Sequence, residues 1–217
     1  MKNTVLAVIF ALLAPVALFA AHSARLEFAK GKIEVQRGGT SEWVKVDAKI
    51  EVFQGDKIRT FDSSSATLFL DDGSTVEITA WSLFMVDFYE SEKFQFKLAM
   101  GSIRAFVRSF KRRSFQVVSP VAVCAVRGTN FDMSVDNNQD YKTRIGVDEG
   151  KVWVKDNFGK EVVLAKNDSV DVTKDGMGPV VNSQAKDDAS DAKTKLPNFW
   201  KALVGVLIAG AVIAIAL

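Results

Sequence analysis

Histidine and cysteine are almost absent from this chain. His22 is the sole histidine and Cys124 the sole cysteine among 217 residues. A single histidine, close to the N-terminus, removes Ser-His and Cys-His nucleophilic schemes and most zinc sites. A single cysteine excludes an internal disulfide. Its setting in Val121-Ala-Val-Cys124-Ala-Val126 predicts a buried, inert thiol, with a reactive thiol or an intermolecular bridge as the alternative. Cys124 shares a face with Ala122 and Val126, and the opposite face is apolar as well, as in a strand covered on both sides. An excess of one charge is also lacking. Lys and Arg number 28 against 26 Asp and Glu, a net +2 that makes no case for nucleic acid as a partner. Asp71-Asp72-Gly73-Ser74 lacks the spaced oxygen ligands and closing glutamate of a calcium loop and reads as a hairpin turn. No pair of carboxylates is singled out for acid–base work. No catalytic residue, cofactor or metal ligand is expected, and the chain does not read as an enzyme.

What is present is alternation. Apolar residues recur at every second position in Ile33–Val35, Ala66–Leu70, Val76–Ile78, Phe94–Leu98, Ile103–Val107, Phe115–Val117 and Ile145–Val147. Turns fall between them at Arg37-Gly38-Gly39, Asp71–Gly73 and Asp156–Gly159. About fifteen short strands at intervals of about ten residues predict an all-β sandwich, barrel or β-roll. Trp81, Phe84, Phe88 and Tyr89 are expected in the core or in sheet packing. Gly31-Lys-Ile-Glu-Val35 reads like Gly150-Lys-Val-Trp-Val154, and Gly55 and Gly101 likewise open strand patterns. A glycine followed by an alternating strand, recurring irregularly, predicts stacked β-layers like a short solenoid.

The two ends have a different character. Met1-Lys2, an apolar run from Val5 to Phe19 and small residues from Ala20 to Ala24 read as a secretory signal over 1–23, cleaved after Ala20, Ala21 or Ser23. An uncleaved anchor helix is the alternative, and Pro15 and the short run argue against it. Phe199 to Leu217 holds one charge, Lys201. At ~1.5 Å per residue it spans about 28 Å, the depth of a bilayer core. It reads as a transmembrane helix, with Trp200 and Lys201 at the interface. Small-xxx-small spacing at Gly205/Ala209 and Gly210/Ala214 would let another helix approach. Gly176, Gly178 and Pro179 break the strand pattern, and Asn182–Lys195 has no apolar cluster. Residues 174–198 are therefore expected to form a flexible polar linker, leaving 24–173 as the folded domain.

Gly128 lies between the alternating runs Val121–Ala125 and Phe131–Val135. A glycine there marks a bulge, a bend or a close backbone approach. Thr129 can bond locally, and Arg127 can cap strand-end carbonyls or pair with Glu149. The corner reads as structural, with a ligand or partner site as the alternative. Gly55-Asp56-Lys-Ile-Arg-Thr60, Leu68-Phe-Leu-Asp-Asp72-Gly73-Ser74, Gly101-Ser-Ile103, Arg127-Gly128-Thr129-Asn-Phe131 and Glu149-Gly150-Lys-Val152 stand in that order. Together they resemble the FecR domain over about residues 50–155. The resemblance implies a FecR-like β-sandwich or β-roll and an extracytoplasmic module. That family's best-known members are transmembrane regulators of extracytoplasmic-function sigma factors. Those regulators carry a cytoplasmic segment ahead of their membrane helix. Here a signal is expected in its place, so an interaction module is implied rather than direct handling of a sigma factor.

One stretch is strongly basic. If Ile103, Ala105 and Val107 face the core, then Arg104, Phe106 and Arg108 share the outer face, and Lys111, Arg112 and Arg113 form a hairpin turn. Either this is a solvated hairpin whose charges discourage edge pairing, or it docks an acidic partner or anionic glycan or phospholipid headgroups. The sequence thus points to an exported periplasmic domain anchored in the inner membrane. Its expected partners are another envelope or membrane protein, through the basic hairpin or the C-terminal helix, and the lipid bilayer through 199–217. The expected work is sensory or scaffolding protein–protein interaction. A cell-envelope structural or peptidoglycan-binding protein is the alternative.

Overall fold

The computed structural model describes residues 24–89, 93–109, 114–136, 138 and 140–183. The expected signal at 1–23, the run at 199–217 and the basic residues Lys111, Arg112 and Arg113 lie outside them.

The chain alternates between two facing sheets, A and B. β1 (Ala24–Lys30) lies in sheet A and turns at Gly31 into β2 (Ile33–Gln36) of sheet B, where β3 (Trp43–Lys45) pairs with β2. β4 (Ile50–Val52) returns to sheet A, and β5 (Lys57–Thr60) goes back to sheet B. β6 (Ser65–Phe69) and β7 (Thr75–Ile78) form a hairpin in A, followed by β8 (Leu83–Tyr89) in B. β9 (Lys93–Val107) begins in B beside β8 and ends in A beside β7. β10 (Ser114–Val118) and β11 (Ala122–Val126) lie in B, and β12 (Thr129–Val135) and β13 (Thr143–Glu149) in A. β14 (Val152–Asp156) and β15 (Glu161–Leu164) lie in B, and β16 (Asp168–Thr173) and β17 (Gly176–Asn182) in A. Sheet A therefore runs β4-β1-β6-β7-β9-β12-β13-β16-β17, and sheet B runs β3-β2-β5-β8-β9-β10-β11-β14-β15. Among the described strands every pair is antiparallel except β9 with β10.

Alternation explains the core. In β12, Thr129, Phe131, Met133 and Val135 point inward and the residues between them point out. A ring chain crosses the middle: Phe84 to Phe96 at 5.3 Å between centroids, Phe96 to Phe115 at 5.2 Å, and Phe115 to Phe131 at 6.3 Å, edge-on. Each buried ring contributes roughly 1.5–3 kcal/mol of transfer free energy.

Most crossings between the sheets share one device, although that from β3 to β4 has no left-handed residue and that from β4 to β5 uses Gly55. Gly31, Ser63, Trp81, Gly101, Gly128, Gly150 and Asn167 each sit at a crossing with φ in the left-handed region. The registers place them on two rims. Ile78 pairs with Ile103 and Thr75 with Phe106, so Trp81 and Gly101 share one rim. Thr129 pairs with Val107, so Gly128 lies on the opposite rim. Ala24, near Phe69, and Asn182, opposite Asp168, lie on the Gly128 rim as well. The described chain thus enters and leaves on this entry rim. The far rim carries Gly31, Ser63, Trp81 and Gly101.

Four expectations need correction. Residues 174–182 are not linker: Lys174 and Asp175 turn the chain into β17. Gly178 and Pro179 suit an edge strand, where a missing N–H removes no ladder bond. Trp81 is not core; it is 56% exposed at a crossing with φ 56°. The basic stretch after β9 is not a hairpin, because β10 returns to the first half of β9, in parallel and in the other sheet. The strand bearing Cys124 is covered on one side: Val123 and Ala125 are half-buried beside Trp153 on the outer face of B. Among the described residues no helix is long and apolar enough to cross a membrane.

Candidate functional site

Three of the five sequence motifs meet at the entry rim. Gly128 has φ 68°, and an added Cβ would lie 2.6 Å from Ser109 Cβ. The next crossing stacks upon it, with the Cβ position of Gly150 only 2.7 Å from the Gly128 carbonyl. Thr129 is buried, and its Oγ1 donates to the Lys151 carbonyl at 2.9 Å, tying the two crossings together. Phe131 is wholly buried. The hairpin turn of β6–β7 closes from the other side. Asp72 Oδ1 accepts from Ser74 N at 2.7 Å, and buried Ser74 Oγ accepts from Arg108 N at 3.0 Å. The Arg108 side chain lies over Gly73, with Nη1 2.8 Å from where a Cβ would stand. Arg127 neither caps a carbonyl nor pairs with Glu149. It is exposed and makes no side-chain bond among the described residues, while Glu149 accepts from Asn130 Nδ2 at 3.3 Å.

The other two motifs are structural latches. Buried Asp56 accepts from Gly38 N at 2.9 Å, Phe53 N at 3.0 Å and Arg37 Nη1 at 2.6 Å, joining two turns. Thr60 and Gly101 meet on the far rim. Thr60 Oγ1 donates to the Thr79 carbonyl at 2.5 Å and accepts from Ser82 N at 2.9 Å. Gly101 has φ 89°, and its Cβ position is 2.6 Å from the Trp81 carbonyl. Asp156, which the sequence reading took only as part of a turn, is a third latch, accepting from Phe158, Lys160 and Met177 N–H groups.

Arg104, Phe106 and Arg108 do share the outer face of sheet A, as the alternation requires. Phe106 is 50% exposed and borders two grooves. One, about 270 Å3, is lined by Arg108, Ser109, Gly128, Asn130 and Glu149. The other, about 200 Å3, is lined by Thr75, Glu77, Arg104, Asn130 and Asp148. Arg104 Nη1 reaches Glu77 at 3.4 Å. Across the ladder, Arg104 stands opposite Asp132, a carboxylate that motif reading missed. Asp132 lies over Gly146, its Oδ1 2.6 Å from the absent Cβ. Burial, then the charge of Asp148, pushes its carboxyl above the usual carboxylate range, partly offset by Arg104. The surface offers an exposed ring flanked by arginines and acids, a composition for gripping a protein surface. Burial alone pushes the Cys124 thiol up to about 12, so it stays protonated and inert. Among the described residues no group of His, Cys, Asp and Glu could hold a metal ion.

The comparisons agree with the motif reading. The family model described as FecR, FecR protein, matches residues 56–153. Two crystal structures of a candidate anti-sigma factor from Parabacteroides distasonis superpose with a TM-score of 0.52 at 20% identity, over 58% of this chain and 59% of that one. At this identity the likeness establishes the fold. The chain spans about three fifths of that protein's length. No curated protein matches it.

Proposed function

We propose that this FecR-type domain is a non-catalytic, extracytoplasmic protein–protein interaction module of a signalling system, tethered to the membrane through residues 184–198 and the apolar run 199–217. The observation that carries the reading is Phe106, half exposed between two grooves and flanked by Arg104 and Arg108. Aromatic and arginine side chains on a rigid strand are the usual anchors of a binding surface. The FecR match supports a regulatory rather than a chemical role. The partner is another envelope or membrane protein that presents acidic groups to the two arginines and an apolar pocket to the ring.

A photo-crosslinking residue at position 106 of the full chain, expressed in cells, tests this. It should give one discrete protein adduct in the membrane fraction. The adduct should fade when Arg104 and Arg108 are both changed to glutamate in the same chain. No adduct, together with co-sedimentation of the chain with purified peptidoglycan, would replace a protein partner by glycan. Protease added to intact spheroplasts should digest the domain; digestion only after lysis would sink the extracytoplasmic placement.

A further inference from the structure

The crossings on the entry rim carry a feature that the docking face does not use. Arg127 precedes Gly128, Lys151 follows Gly150 and Lys166 precedes Asn167. The chain reverses at each step, so all of these cations fall on the sheet B side of the rim. Val126 pairs with Val152, which places Arg127 and Lys151 opposite one another one step further out. Val152 pairs in turn with Leu164, so Lys166 follows two steps beyond on the next strand. Neighbouring strands are ~4.8 Å apart, so the row spans about 10 Å. All three residues are exposed, and none makes a side-chain hydrogen bond or ion pair among the described residues. The nearest acids in the chain are engaged elsewhere. Glu149 takes Asn130, and Asp168 takes the Ala165 N–H at 2.9 Å and Asn182 Nδ2 at 2.7 Å. Like charges directly opposite on a ladder repel. The row therefore has a deficit of negative charge that a ligand can fill.

The path of the chain says which ligand. Ala24 and Asn182 both lie on this rim, and Ser183 N donates to the Asn167 carbonyl, beside Lys166. Only residues 184–198 separate that point from the apolar run 199–217. A tether of that length keeps the rim within reach of whatever surface the run enters. We propose that Arg127, Lys151 and Lys166 form a cationic ridge that seats the domain on the phosphate groups of anionic phospholipids, entry rim toward the bilayer. This rests on the membrane tether proposed above. Lipid phosphates supply the missing counter-charge, as basic residues held near an anionic leaflet are attracted to it within a Debye length. The far rim then faces away, and the Phe106 face stands at the side, open to a partner.

Hydrogen exchange of the full chain in nanodiscs tests the ridge. Discs of phosphatidylcholine alone are compared with discs containing phosphatidylglycerol. Amides near 126–130, 149–153 and 165–168 should exchange several-fold more slowly in the anionic discs, with the far-rim crossings near 62–65 and 80–83 unchanged. The slowing should vanish in the triple variant R127E/K151E/K166E, and also in the milder R127Q/K151Q/K166Q, which guards against misfolding. Equal exchange in both lipids overturns the proposal, as does slowing that survives both variants. A chain that fails to enter discs refutes the tether instead. The ridge is then read by sedimentation with phosphatidylglycerol vesicles, where binding lost in the glutamine variant supports it and no binding overturns it.

Discussion

The two rims solve the same geometric problem with different chemistry. Both turn the chain between sheets through left-handed residues stacked one upon the next. The far rim saturates itself. Ser64 Oγ accepts from Lys32 N, Thr79 Oγ1 donates to the Ser102 carbonyl, and Ser82 Oγ accepts from Ser102 N, so short hydroxyls join each crossing to its neighbour. The entry rim has fewer hydroxyl links between its crossings and turns, Thr129 to Lys151 and Ser74 to Arg108 N, and beside them it points the cations Arg127, Lys151 and Lys166 at solvent. Equal backbone demands thus leave one rim chemically closed and the other open. The open rim is the one with surplus binding capacity.

The contrast can be broken by substitution. The largest effect is expected at Gly101. Valine there combines a left-handed φ with overlap on the Trp81 backbone, which cannot move without β8, and should cost about 3 kcal/mol in chemical denaturation. The same change at Gly128 meets the Ser109 side chain near the end of a strand and should cost about 2 kcal/mol. Equal losses would mean that the rims are equally rigid. Thr60→Val removes a hydroxyl that both donates and accepts, strands the Ser82 N–H, and should cost about 1.5 kcal/mol. A silent change would deny that hydroxyls close the far rim.

Asp132 serves as a control outside both rims. Its carboxyl is raised, so its contribution favours the fold at low pH and is lost as pH climbs through the raised value. Asp132→Asn should therefore melt slightly higher at pH 7, by under about 1 kcal/mol, and the gap should close below pH 3.8, the ordinary value. A gap that widens on acidification would reverse the assignment. The smallest effect belongs to the ridge. Arg127→Gln should stabilise the lipid-free chain by roughly 0.3 kcal/mol at low salt, by relieving repulsion with Lys151, and the gain should disappear in high salt.

Strands were the legible part of this sequence, because alternation is written residue by residue. So was the corner at Gly128, where two alternating runs meet at a residue without Cβ. Crossings made by Ser63 and Trp81 were not legible, since neither residue signals a left-handed backbone by type; Asn167, of a type that tolerates that region, carried a signal that alternation alone did not single out. β17 was hidden by Gly176, Gly178 and Pro179, which look like breakers until the strand is known to be an edge. The crossover after β9 was misread because a glycine in mid-strand does not reveal that the two halves serve different sheets. Arg104, Phe106 and Arg108 came out on one face because their spacing is two. The row of Arg127, Lys151 and Lys166 could not be seen, because only the stacking of crossings brings those distant positions side by side.

The long strand that bends at Gly101 carries a consequence for how the molecule comes apart. Its first half is zipped to β8 and β10, its second to β7 and β12. No cut through the sequence separates the N-terminal strands from the C-terminal ones without stripping this shared strand from one group or the other. Neither fragment should survive alone, and melting should be all-or-none rather than stepwise. Folding must also wait until residues near 101–107 have found their mates in β7 and β12, beyond the local hairpin that residues 94–100 make with β8. Such non-local closure places the molecule among slow folders despite its short hairpins.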